Sequence, residues 1–150
     1  MRPSRKAPAG CSFEGWFLVS RDIDTKTEGS AFLREKLKKL QDAYLARLPE
    51  ALATLQKLSS ALAADPDAEV VVADLHRAFH SMRGTAATLG LPQISSEGAI
   101  GTELMASFKS LTPDQRRQAA AATLHELAAC TARIEAAGKA AMQPADPEKD

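Results

Sequence analysis

His80, Arg83 and Gly84 fall within one helical turn of each other in the run Phe79-His80-Ser81-Met82-Arg83-Gly84, and Gly90 follows six residues later. With 3.6 residues per turn, positions three and four beyond a histidine are its surface neighbours on a helix. A solvent-exposed imidazole is mostly neutral near pH 7 and is then a nucleophile able to carry a phosphoryl group on nitrogen. A guanidinium close by can neutralise such a dianion and donate hydrogen bonds to it. No Asp or Glu within a turn of His80 is spaced to act as an activating base. That pattern suits a carrier whose chemistry is assisted from outside better than it suits an enzyme.

Positioning these groups requires a helix over Ala68–Leu89. On its projection Val71, Val72, Leu75, Phe79, Met82, Ala86 and Leu89 share one broad arc, which must be the buried one. His80 lies roughly 130° from the middle of that arc, so it is expected to be exposed. Gly84 points nearly opposite the core, and His76 and Arg83 fall at the boundary. An exposed glycine inside a helix costs about 1 kcal/mol relative to alanine. What gains from the missing side chain at Gly84 is a group approaching His80 from outside. The rim expected to receive a partner consists of His76, Arg77, Ser81, Gly84, Ala87 and Thr88, with Gln93 or Glu97 from the next helix.

Three further helices are expected around this one. The first starts after Ser30, a plausible N-cap, and carries Phe32, Leu33, Leu37, Leu40, Tyr44, Leu48, Leu52, Leu55, Leu58 and Leu62 at threes and fours. Its stripe stays in phase across Pro49, which favours one long, bent helix over two. Asp65-Pro66-Asp67 is a turn into the second helix, and Gly90-Leu91-Pro92 ends it. The third spans Gln93–Phe108 with Ile94, Ile100, Leu104 and Met105. Thr112 caps the fourth, with Pro113 at its first position; it runs to about Ala137 and presents Leu124, Leu127, Ala128, Thr131 and Ile134. His125 on this helix reads as a surface residue. Short connections make the helices antiparallel neighbours, hence an all-α, up-and-down four-helix bundle. Residues 1–28 form a mostly irregular extension with an apolar patch of Phe13, Trp16, Phe17, Leu18 and Val19. The bundle occupies 29–140, and 141–150 are a disordered polar tail.

Composition narrows the function. The 150 residues carry 19 basic and 19 acidic side chains, and a nucleic-acid binder would normally show a basic excess. Cys11 and Cys130 form no CxxC pattern, so a disulfide or zinc framework is not expected and a reducing cytoplasm is the simplest setting. No apolar run approaches the ~20 residues of a membrane span. His76 and His80 have the spacing of a metal pair, but a stable site needs a third ligand. Asp74 points well round the helix and Arg77 is no ligand, so no metal is expected. No phosphate-cradling glycine loop is present and no cofactor is expected.

The run His80-Ser81-Met82-Arg83-Gly84-Thr85-Ala86-Ala87-Thr88-Leu89-Gly90 resembles the hallmark of the histidine-containing phosphotransfer (HPt) domains of bacterial multistep phosphorelays. That hallmark is a His, a hydrophobic residue two on, Lys three on and Gly four on, then small residues and a second Gly. Tyr44-Leu45-Ala46-Arg47-Leu48-Pro49-Glu50, followed by Leu52, Leu55 and Leu58, looks like the family's first bundle helix. The resemblance covers Ala31 to Phe108. It implies that His80 accepts the phosphoryl group, that Arg83 helps hold it, and that Gly84 leaves room for a partner's active site. The implied partners are receiver domains of response regulators and of hybrid sensor kinases, which supply Mg²⁺; a monomer is expected. Two departures stand out. Arginine replaces lysine three on, and Gly98 and Gly101 are expected to loosen the third helix. The competing reading is a helical-bundle scaffold that binds signalling partners without phosphotransfer.

Overall fold

The computed structural model of the chain describes residues 27–144. All regular structure among them is α-helical: α1 (Thr27–Ala64), α2 (Glu69–Thr88), α3 (Pro92–Lys109) and α4 (Pro113–Met142). The expected four-helix bundle is the architecture found. No helix among the described residues is long and apolar enough to cross a membrane. The apolar patch Phe13–Val19, Cys11 and the polar C-terminal end lie outside the described residues.

Two compact units divide the chain at Lys39 and Leu40. In the first, the described residues are the opening turns of α1. Helix begins there at Thr27, so Ser30 is a helical residue and not the N-cap expected of it. There Phe32 (57% exposed), Leu33 (68%) and Leu37 (39%) are open to solvent, and so is Leu40 (58%) at the start of the second unit. Periodicity had marked them as a core face; it shows that a stripe exists, not that anything covers it.

The second unit holds the core, and each helix touches its chain neighbour. From α1, Gln41 Nε2 donates to the carbonyl of Leu89 at the end of α2. Leu45, Leu48, Leu52, Leu55 and Leu62 of α1 are buried, and a single helix runs through Pro49. Five apolar residues of α2 (Val72, Leu75, Phe79, Met82 and Ala86) are buried as projected, with Leu89 at its C-cap; Val71 is half-buried. α3 meets α4 through Glu97, whose carbonyl accepts from Cys130 Sγ at 3.0 Å and whose carboxylate takes Arg133 Nε at 2.9 Å. α4 returns to α1, where the backbone of Gly138 lies against the Leu48 side chain. Contacts from α1 to α2, α3, α4 and back to α1 close the bundle. Of the other positions assigned to the core, Ile100 and Ala128 are exposed, while Leu58, Leu104 and Leu124 are half-buried.

The helix ends explain the short connections. Gly90 adopts φ +70°, the left-handed conformation in which a side chain is unfavourable. Its N–H bonds to Ala87 O at 3.2 Å and that of Leu91 to Ala86 O at 2.8 Å, a Schellman cap that satisfies two end carbonyls. α3 starts at Pro92, one residue before the expected Gln93, and ends at Lys109. Thr112 and Gln115 form a capping box on α4, with Pro113 at the first helical position as expected. Arg116 is buried and donates to Lys109 O at 2.7 Å, capping the end of α3; nothing in the sequence pattern marked it. α4 continues to Met142, past both the Ala137 end and the boundary at residue 140.

Burial and the bond to Glu97 push the Cys130 thiol up from an ordinary 9.0 to about 11. A group whose folded pKa is raised stabilises below its unfolded value. This contribution is therefore complete below about pH 9 and lost as pH rises towards 11. Iodoacetamide at pH 8 is expected to leave Cys130 unmodified in the native protein and to label it only in denaturant, as read by peptide mass spectrometry. Labelling at equal rates in both states would contradict the buried, protonated thiol.

Candidate functional site

Burial of Phe79 fixes the rotation of α2 and turns the next residue, His80, outward. His80 is exposed and His76, one turn earlier, is half-buried. Their rings lie 6.2 Å apart between centroids and within 7° of parallel. Gly84 is exposed, and a Cβ built on it meets nothing within 4 Å. No packing among the described residues requires a glycine there.

Two open depressions lie on this part of the surface, and His80 lines one of them. One is lined by His80 itself with Ser81, Gly84, Thr85, Thr88 and Leu89. On this side Thr88 Oγ1 donates to Gly84 O at 3.0 Å, satisfying the hydroxyl within the helix. The other depression is lined by Arg83 and Ala87 of α2, by Gly90, Leu91 and Pro92 of the connection, and by Ser95, Ser96 and Ala99 of α3. Arg83 therefore flanks His80 on the α3 side, opposite the open space above Gly84.

The α3 side is held tightly. A Cβ on Gly98 would come within 2.8 Å of the Arg83 backbone nitrogen, and one on Gly101 would collide with the Phe79 ring. Both glycines are buried. Ser95 Oγ crosses from α3 to donate to Arg83 O at 3.0 Å. Gly98 and Gly101 thus do the reverse of loosening α3. They let two backbones approach closely and fix the segment that carries His80 and Arg83.

The expected rim separates into residues the structure brings to the site and residues it does not. Ser81, Gly84, Ala87 and Thr88 line the two depressions. Arg77 is exposed on α2 and paired with Asp74. Gln93 faces a different groove, shared with Ala137, Ala140 and Ala141 of α4. Glu97 is engaged by Arg133 and Cys130 at the α3–α4 seam. These last two share one face of α3, while Ser95, Ser96 and Ala99 hold the position expected of them. No signal in the sequence alone separates these faces, because a glycine inside a helix reads as a weak point until its neighbour in space is known.

Two alanine substitutions are expected to have opposite signs. Gly84→Ala should stabilise by about 1 kcal/mol, through helix propensity and a less flexible unfolded chain. Gly98→Ala should destabilise by about 1–3 kcal/mol, because α3 must move off Arg83. Urea unfolding of the two variants reads both, and destabilisation by Gly84→Ala would show a packing role for that glycine. Comparison of the chain with protein-family models, with curated proteins and with solved structures finds no match in any of the three.

Proposed function

We propose that this protein is a cytoplasmic phosphoryl carrier that accepts a phosphoryl group on His80 from a receiver-domain aspartate, or from a kinase, and passes it to a response-regulator receiver. The observation that carries the reading is the pairing of an exposed imidazole with empty space one turn further on, at a glycine that no packing among the described residues requires. Shape adds support: a histidine lining an open, shallow depression is accessible to a protein surface, whereas a small substrate gains little enclosure there.

In the transfer, the unprotonated ring nitrogen of His80 attacks phosphorus. A P–N bond forms as the P–O bond to the partner's aspartate breaks, and the carboxylate leaves with the bonding pair. The proton on the other ring nitrogen stays through the step and exchanges with water afterwards. Passing the group on reverses these bond changes on a second carboxylate. Arg83, on the flank, offers its guanidinium to the phosphoryl oxygens. The partner brings Mg²⁺ and the acyl phosphate; this chain contributes the nucleophile, its orientation and room for approach.

Incubation with phosphorylated receiver domains is expected to leave acid-labile, base-stable phosphate on the wild type and none on His80→Gln. Label persisting on the variant, or no transfer from any receiver, would overturn the reading; in the second case partner binding without transfer would mark a scaffold. Gly84→Gln is expected to keep the fold, since its Cβ is unopposed, yet to slow transfer by about tenfold or more, equivalent to about 1.4 kcal/mol of lost approach. Unchanged transfer in that variant would mean that the space at Gly84 has no part in docking.

A further inference from the structure

We infer that His76 and His80 together form an exchangeable, two-point site for a borderline divalent transition cation, of the Cu²⁺, Ni²⁺ or Zn²⁺ class. Phosphoryl transfer needs one imidazole, and the structure presents two. They are four residues apart on α2, the spacing at which two histidines on one helix face grip a single zinc ion. Metal–nitrogen bonds of about 2.0–2.1 Å put the ring centroids of two imidazoles on one ion about 5 Å apart. The observed separation is 6.2 Å with the rings nearly parallel. Binding therefore requires the two rings to rotate out of this stack about their side-chain torsions, a change that both side chains make on the surface of α2.

The surroundings favour soft nitrogen coordination over oxygen coordination. The nearest acid on the helix, Asp74, is occupied by Arg77, and no group of three or more His, Cys, Asp or Glu side chains gathers among the described residues. Hard cations, which need several carboxylate or carbonyl oxygens together, find no such cluster among the described residues. The third ligand that a stable site needs is missing among the described residues, so water must complete the coordination, and the ion exchanges freely and is no structural component of the fold. With two imidazole ligands and open positions, affinity follows the general order for nitrogen donors, with Cu²⁺ tightest.

A consequence for signalling rests on the phosphocarrier reading. An ion bound by a ring nitrogen of His80 takes the lone pair that phosphorus needs, or holds the ring turned towards His76. Metal occupancy and phosphorylation are then mutually exclusive. His76 thereby acquires a role in regulating a reaction in which it takes no chemical part.

The binding test uses the full chain with each metal salt alone. Histidine ring signals in the NMR spectrum report the site, and the chain has only three histidines. Zn²⁺ is expected to shift, and Ni²⁺ to broaden, the His76 and His80 signals together at 1:1 stoichiometry, leaving His125 unmoved. By calorimetry, His76→Gln and His80→Gln should each weaken binding by about tenfold or more, as a two-point grip becomes a single contact. Equal affinity in His76→Gln, or binding abolished by Cys11→Ser instead, would overturn the site. The transfer assay repeated with Zn²⁺ reads the consequence, each protein being compared with its own metal-free rate. Fractional inhibition should be strong in the wild type and weak in His76→Gln. Histidine-dependent binding in a protein that never accepts phosphate would remove the phosphocarrier reading and leave the metal site standing. Transfer without His76-dependent binding would do the converse.

Discussion

The approach of α3 to α2 is the constraint on which the site depends. Gly101 admits the Phe79 ring, and Gly98 admits the backbone at Arg83. Burying a phenylalanine contributes up to about 3 kcal/mol, and that contribution is realised here only in one rotation of α2. The residue after Phe79 is then forced outward. The orientation of His80 is thus set by a contact on the opposite face of its own helix, and the hydrogen bond from Ser95 to Arg83 O holds the same register. A reactive side chain on the outside of a bundle cannot be positioned by packing around itself. It is positioned by how firmly the inside is packed.

Much of this was legible in the sequence because α2 is phased by many residues. Val72, Leu75, Phe79, Met82, Ala86 and Leu89 agree on one arc, so the outward direction of His80 and Gly84 followed from geometry. The cap residues were legible for a similar reason. Gly90, Thr112 and Pro113 each belong to a small set suited to one backbone position.

What was not legible depended on neighbours in space. A glycine inside a helix either weakens it or admits a close contact, and Gly98 and Gly101 cannot be told apart from loosening positions without knowing what lies opposite. The same dilution by glycine left α3 poorly phased: Ile100 suggested an inward direction it does not take, and the partners of Gln93 and Glu97 towards α4 could not be read from the pattern. Along α1, Phe32, Leu33 and Leu40 keep the helical period of a core face while remaining exposed. Arg116 was missed because an arginine pattern carries no hint that its target is a backbone carbonyl at the end of another helix.

The connections of three residues between α2 and α3, and between α3 and α4, have a kinetic meaning. Helices joined so closely in the chain meet while only short loops are closed, at little entropic cost. Domains dominated by such near-sequence contacts fold in about microseconds to milliseconds. Thr112 and Gly90 end their helices within a few residues, so each hairpin can form before the rest of the molecule is in place. The α2–α3 pair that aims His80 thus closes across a short loop, whereas the return of α4 to α1 spans most of the described chain.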